Sequence, residues 1–457
     1  MSIFNIITNK TYGYEDAFGA TDCTSDAMKE AIDDWFELFY QNDPECEEDP
    51  CQQIPYTVVN KITKTAFGEY TATGKDDFAT GVLDGMKKIH RRAMHDALIG
   101  GIAYIKPFPL ADRFVFSNVS RANMLVFGKD VEGNPTDIGT AERTISGKYY
   151  YTLLERRTVG ADGLLTIRNK LYRSESSDVL GRPVPLSSVA RYEALMEEYT
   201  FPEAVGLGMV PLCCPLPNVV DGSTDPVSVY AAAVGLIHNI NRNEFELNGE
   251  FERGKSRLIV SADMLKPSID GKRKEITDEI FTGLEDDPDN VGITAFSPTL
   301  REASFLARKT EYLRNVESVI GLKRGLLSDV ETVEKTATEV TSSAGDYNLT
   351  IIDFQKMWES SVRAMLVLCG KLGRMYRVSG AHDLTEDSAV IDWGNGVLYD
   401  ESKTWTDYKA MVASGMLKPE IAVGWYFGMP IETPADLEAI RSKYMPDINN
   451  LISGGNE

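Results

Sequence analysis

Histidine is the side chain best suited to moving protons near neutral pH, and this chain has four: His90, His95, His238 and His382. His90 and His95 stand five apart beside Arg91 and Arg92, a spacing that does not put both rings on one helix face. They read as polar surface side chains. Cys46 and Cys51, in PECEEDPC, could supply half of a metal site. A structural zinc needs four convergent ligands, and neither a second pair nor a histidine is near. Cys213 and Cys214 are adjacent in an apolar stretch. No metal and no cofactor is expected. The chain carries no G-x-x-x-x-G-K-[ST], G-x-S-x-G, H-E-x-x-H or G-x-G-x-x-G motif. Its many carboxylates show no spacing that marks a paired-acid site. The chemistry-bearing residues thus favour a structural or binding protein, with a soluble hydrolase or transferase as the rival class.

Charge is more informative. The chain has 457 residues, 47 basic and 69 acidic, for a net charge of −22. So negative a surface repels nucleic acid and anionic membranes in general, while permitting a local basic contact. Lys323 and Arg324 stand between Gly321 and Gly325, whose flexible backbones let a loop bend and move, and as cations at a helix end they are also placed to cap the preceding helix. No stretch reaches the ~20 apolar residues of a membrane span, and the first residues lack the basic and cleavage regions of a signal peptide. Six cysteines in so long a chain read as free thiols in a reducing compartment, and the sequons at Asn118 and Asn348 as chance. The length allows two to four domains.

Several elements must position these residues. Helices are expected over 24–41, with Trp35, Leu38 and Phe39 inward, and over Asp77–Leu98, stopped by Gly100 and Gly101. An acid- and proline-rich turn separates them, Pro44 to Pro55. Alternating β-branched and aromatic residues then predict an antiparallel meander to about Pro217, including a hairpin of Tyr149–Thr158 with Thr166–Tyr172. Asp225 as cap and Pro226 at the first position predict a helix to Phe251. A strand at Arg257–Val260 follows, then a helix over Leu300–Ile320 with Leu306, Leu313, Val316 and Ile320 on one stripe. A capping box of Thr336 and Glu339 opens the longest helix, whose apolar positions include Tyr347, Phe354, Trp358 and Leu372. At 1.5 Å per residue that rod reaches roughly 55 Å, which suggests an assembly of neighbouring copies. A short strand at Val390–Trp393 and three helices to about Tyr444 close the chain. The fold class is α+β.

At KTATEV, Lys335 to Val340, the chain resembles the portal proteins of tailed bacteriophages of the Gram-positive siphophage type, where this motif starts the long helix after the tunnel loop. Val229–Val260 resembles that family's first stem helix and the start of its clip. Phe296–Arg301 resembles the return into the second stem helix, VIGLKRGLLSDVE the tunnel loop, and GWYFGMP the helical tail. The first 80 residues depart from the pattern. The resemblance implies a wing over 1–218, stem helices over 219–253 and 299–320, and a small α/β clip over 254–298. It further implies a tunnel loop over 321–335, the long helix over 336–376, a wing return strand over 377–400 and a helical crown over 401–457. It implies a ring of copies, typically twelve, at one capsid vertex of a virion. Double-stranded DNA would pass through its channel during packaging and ejection. The expected partners are the terminase large subunit, a head-completion adaptor, and the major capsid and scaffolding proteins. Lys323 and Arg324 would face the DNA. Tyr347, Phe354 and Trp358 would pack within the subunit and against its neighbour. Another virion head-assembly protein is the alternative within the same setting.

Overall fold

The computed structural model describes residues 13–40, 50–177, 179–255, 257–261, 280–283, 294–296, 299–328, 337–394, 401–431 and 433–445, with the backbone alone for 257–296, 337–348 and 401–404. The capping box, the Tyr347 side chain and Cys46 lie outside the described residues. The fold is α+β with antiparallel sheets, in two compact units, Met1–Ile391 and Asp392–Glu457.

The first unit begins with helices α1 (Tyr14–Phe18), α2 (Asp26–Tyr40), α3 (Ile54–Ala66), α4 (Asp77–Lys87) and α5 (His90–Gly100). The Ser25 hydroxyl accepts the Met28 N–H at 3.2 Å, a side-chain cap of the kind that fixes a helix start. Met28, Ile32, Trp35, Phe36 and Leu38 are buried along α2, whereas Phe39, expected inward, is half-buried. α3 was not expected. Proline sits in its first turn, where its missing N–H costs nothing, so Pro55 starts this helix where the sequence suggested a turn. The helix expected over Asp77–Leu98 is two helices. Ile89 donates to the Met86 carbonyl at 3.0 Å, which tightens the turn and re-aims the chain before His90.

Strand β1 (Thr71–Gly74) lies between α3 and α4, and after α5 come β2 (Ile102–Pro109), β3 (Phe114–Ser120), β4 (Met124–Lys129), β5 (Pro135–Ser146), β6 (Tyr149–Val159), β7 (Leu165–Ser174), β8 (Arg182–Val184), β9 (Glu198–Thr200) and β10 (Val210–Cys213). One sheet runs β10-β2-β3, and a larger meander runs β4-β5-β6-β7-β8 with β9 also on β7. The expected hairpin is present, in register from Tyr150 opposite Ser174 to Val159 opposite Leu165. Both faces of β6 are covered. Leu154 joins a cluster with Tyr14, Phe18 and Leu125, while Tyr151 and Leu153 pack with Leu171, Leu186 and Tyr192. That double burial explains a run of apolar residues in place of clean alternation.

A buried charge cluster ties the two sheets together. Lys106 of β2 reaches the Glu155 carboxylate of β6 at 2.6 Å. Arg157 binds the same carboxylate at 2.7 Å and donates to the Leu207 carbonyl at 2.6 Å. Burial alone would raise the pKa of Glu155. The charges of Arg157 and then Lys106 outweigh it and hold the group at about 2.

The helix expected from Asp225 and Pro226 starts later, as α6 (Val234–Arg253), after a 3-10 turn at Ala231–Ala233. Asp225 pairs with Lys129 instead, and Val229 donates to the Leu98 carbonyl at 2.9 Å. Long-range partners thus override the local cap signal. Strands β11 (Arg257–Ser261), β12 (Ile280–Gly283) and β13 (Thr294–Phe296) form a small sheet, with β11 parallel to β12 and antiparallel to β13. Then follow α7 (Glu302–Ile320), α8 (Ala337–Tyr376) and β14 (Ala389–Asp392), which pairs with β1. Leu306, expected on the buried stripe of α7, is exposed, while Val316 and Ile320 are buried.

Helix α8, with 40 residues and about 60 Å of length, runs into the core of this unit. Ile351, Phe354, Trp358, Val362, Met365, Leu366 and Leu372 are buried, and the helix packs on α3, α4, β2 and β10. Trp358 meets Phe67 with ring centroids 5.5 Å apart, edge to face. Phe354 and Trp358 are thus covered by the chain's own elements. At Gly370 a Cβ would stand 2.6 Å from the Leu384 amide nitrogen, so only glycine lets the segment after α8 fold back this closely.

The second unit holds α9 (Glu401–Ala413), α10 (Pro419–Tyr426) and α11 (Pro434–Tyr444); Ile440 of α11 is buried, and a Cβ on Gly424 of α10 would stand 2.7 Å from its side chain. Trp405 packs on Tyr426 and Tyr408 on Trp425. Thr433 and Asp436 form a complete capping box at the start of α11.

Two expectations follow. Trp358→Ala removes a fully buried side chain and should lower the unfolding free energy of the chain by about 3–5 kcal/mol, read by denaturant titration. A loss under about 1 kcal/mol would mean that the site is not packed core. Because the Glu155 carboxylate is held below its ordinary value of 4.5, its contribution is complete above that value and is lost as pH falls toward 2. Unfolding free energy measured between these two values should fall for the natural chain. In Glu155→Gln, which leaves two buried cations unpaired, it should start lower by about 3–5 kcal/mol and vary less with pH.

Candidate functional site

Helices α6 and α7 pack on each other and run antiparallel, as their cross-links show. Arg301 grips the Glu250 carboxylate with two nitrogens at 2.8 and 3.0 Å. Further along, Lys309 binds Glu244 at 2.7 Å, and the Asn243 amide donates to the Phe305 carbonyl at 3.1 Å. The small sheet of β11–β13 lies in the connection between the two helices. Exposed pairs such as Arg301 with Glu250 stabilise little; their effect is to fix how one helix registers against the other.

At its far end α7 stops in a Schellman turn. Gly321, at φ 79°, donates to the Ser318 carbonyl at 3.3 Å, and Leu322 donates to the Glu317 carbonyl at 2.7 Å. This double bond pattern satisfies the last carbonyls with backbone donors, and the residue entering it must adopt a left-handed conformation. Among the described hydrogen bonds, Lys323 and Arg324 contribute no side-chain donor to these carbonyls. Both cations are exposed. Gly325 follows at φ 86°. A Cβ on Gly321 would also stand 2.7 Å from the Thr350 hydroxyl of α8, so the turn sits directly against the long helix.

The loop is pinned by a residue that the sequence reading passed over. Glu317 is fully buried, and its carboxylate accepts four hydrogen bonds. The donors are the backbone N–H groups of Gly325 at 3.2 Å, Leu327 at 2.5 Å and Ser328 at 2.9 Å, and the Ser328 hydroxyl at 2.9 Å. A carboxylate offers about four acceptor directions, and here all are used on one short loop. The loop therefore closes back onto α7, leaving Lys323 and Arg324 at its exposed crest. This changes the expectation of a freely bending loop: the glycines shape the turn, and Glu317 holds it. One signal was present. Glu317 stands four residues after Leu313 and next to Val316, so it lies on the inward stripe of the helix, where an acid needs partners.

The other candidates lie elsewhere. Phe354 and Trp358 sit further along α8 in the core, with Phe67 and His90 beside Trp358. His90, expected at the surface, is half-buried and packs edge-on against Phe67 at 4.7 Å; burial lowers its pKa, with the Lys87 carbonyl opposing that shift. His238 lies 3.2 Å from Asp34 and His382 3.4 Å from Asp76, both on exposed surface. Cys23, Cys51, Cys213, Cys214 and Cys369 are free thiols. Among the described residues no group of three or more His, Cys, Asp and Glu side chains converges as metal ligands would. Neither a protein-family model nor a curated protein sequence matches this chain.

The loop's dependence on Glu317 is testable. Glu317→Gln keeps the shape but turns one acceptor oxygen into an amide donor facing other donors. Unfolding free energy should fall by about 1–3 kcal/mol, and hydrogen exchange at the Leu327 and Ser328 amides should accelerate. Unaltered exchange at both amides would mean that the carboxylate does not hold the loop.

Proposed function

We propose that this chain is the subunit of a bacteriophage portal: a ring at one capsid vertex through which double-stranded DNA is packaged and ejected. The observation that carries the reading is the order of elements after β10. An antiparallel helix pair brackets a small mixed sheet, a glycine-bounded loop with two exposed cations follows, and then comes a 40-residue helix. In the portal architecture these correspond to stem, clip, stem, tunnel loop and long helix, with the α/β body as wing and the last helices as crown. The KTATEV motif at the start of the long helix supports the same correspondence.

The physics of the role fits the charge. A channel that neutralised many phosphates would bind DNA with a strong salt-dependent adhesion, whereas a net charge of −22 keeps the genome sliding. In this reading Lys323 and Arg324 line up around the ring as a narrow basic belt. Their contacts fall on phosphates and are independent of sequence, as passage of any genome demands. The terminase large subunit and then a head-completion adaptor would dock on the β11–β13 region. Major capsid and scaffolding proteins would meet the outside of the ring.

The reading is tested first by assembly. Native mass spectrometry and negative-stain imaging of the purified chain should show closed rings of about twelve copies; a strictly monomeric protein at micromolar concentration would remove the portal assignment. Replacing Lys323 and Arg324 by Gln should leave rings intact yet change packaging velocity or DNA retention, with an effect that shrinks as salt rises. Unchanged packaging at low salt would take the DNA contact away from these two residues.

A further inference from the structure

At the corner where α3, α4 and α5 meet, this acidic chain turns basic. Lys61 and Lys64 stand one turn apart on the outer side of α3, Lys87 and Lys88 end α4, and Arg91 lies in the first turn of α5; all five are exposed. Lys64 comes one turn before Phe67, whose ring meets the His90 ring at 4.7 Å. The end of α3 therefore sits against the joint between α4 and α5. Burial lowers the pKa of His90, the Lys87 carbonyl opposes the shift, and the charges of Arg91 and Lys87 lower it further. Both cations thus stand close to that ring.

These charges are unpaired. Among the described residues no carboxylate comes within ion-pair distance of any of the five, although Glu69 follows α3 and Asp84 stands one turn before Lys87 and Lys88. Other exposed arginines are paired: Arg301 with Glu250, Arg168 with Glu198 and Arg191 with Glu142. Helix stability explains part of the cluster, since Lys64 and Lys87 occupy the last turns of α3 and α4, where cations suit the helix dipole. It does not explain Lys61, and Arg91 stands at a helix start, where the dipole disfavours a cation. The corner also lacks what a protein partner grips. Between Tyr56 and Leu110 no large hydrophobic side chain is exposed, whereas protein interfaces rest on aromatic and aliphatic anchors and are depleted in lysine. Nucleic-acid interfaces are polar and strongly basic.

We infer that this corner is a surface that holds the phosphate backbone of duplex DNA without reading its bases. Duplex DNA carries one negative charge per about 1.7 Å of its axis, dense enough to meet several grouped cations at once. Ammonium groups act on phosphate as point charges, and such contacts carry no sequence information. The net charge of the chain does not prevent this, because ordinary salt screens exposed charges over roughly 8–10 Å. DNA at the corner meets the corner's own charges first. The surface is built from other elements than the Lys323–Arg324 loop and goes beyond the portal reading.

The test is filter binding of the full chain, in its native oligomeric state, to a covalently closed circular duplex. Such a circle cannot thread a closed ring, so it reports the outer surface alone. Each phosphate neutralised adds about −0.9 to the slope of log affinity against log salt. The triple variant Lys61→Gln, Lys88→Gln, Arg91→Gln spares the two last-turn lysines. It should bind the circle at least about tenfold more weakly and reduce the slope by about 2 or more, with its thermal midpoint unaltered. Lys148→Gln, at an exposed lysine of the β5–β6 turn, should alter neither. No binding of the circle, or a triple variant with natural affinity and slope, would overturn the inference. Tighter binding of polyglutamate than of the circle would overturn it too and give the corner to an acidic protein. A monomer that binds the circle through these residues would remove the portal reading and leave this surface standing, whereas closed rings that ignore the circle would do the reverse.

Discussion

Helices α3 and α4 and the β10-β2-β3 sheet of the first unit are arranged around the burial of one helix. The inward stripe of α8, from Ile351 to Leu372, is covered by α3 and α4 on one side and by β2 and β10 on another. Each large apolar side chain removed from water contributes about 1.5–3 kcal/mol, and this helix presents several in succession. The glycine at position 370 extends the arrangement, because it lets the following segment and its Leu384 close over the end of the helix. Over the described side chains, the stripe from Ile351 to Leu372 is packed inside one chain.

The second constraint is electrostatic. A cluster of Lys106, Glu155 and Arg157 in the interior is expensive to desolvate, and it persists because the carboxylate has two cations and the Arg157 guanidinium also reaches a backbone carbonyl. Hydrophobic contacts would hold the two sheets together without fixing their relative slide. Directional bonds from β2 to β6 fix it. Position and stability are therefore supplied by different forces here.

The same division of labour recurs at the loop after α7. Glycines at 321 and 325 admit backbone angles that other residues resist, but permission alone would leave an ensemble. Glu317 selects one member of it by taking three backbone N–H groups and a hydroxyl from a run of four residues. Two exposed cations are thereby presented on a defined turn. A basic crest on an acidic protein is a local exception to its overall field, and its screening length of roughly 8–10 Å at ordinary salt keeps its influence local.

Local information in the sequence settled those elements whose signals are local. The long helix, the Tyr149–Leu165 hairpin, the strand at Arg257 and the three final helices follow from apolar period and turn chemistry, which act within a few residues. The α+β class and the two exposed cations between glycines were legible for the same reason. Where distant partners compete, local signals lost. Asp225 looks like a helix cap and is an ion-pair partner of Lys129; the stretch from Asp77 to Leu98 looks like one helix and is two; Leu306 continues an apolar stripe and faces outward. The Glu317 knot and the Lys106–Glu155–Arg157 cluster were invisible for a further reason. Each depends on groups separated in sequence that only the folded chain brings within hydrogen-bond reach, and burial alone turns an ordinary acid or arginine into one that must find a partner.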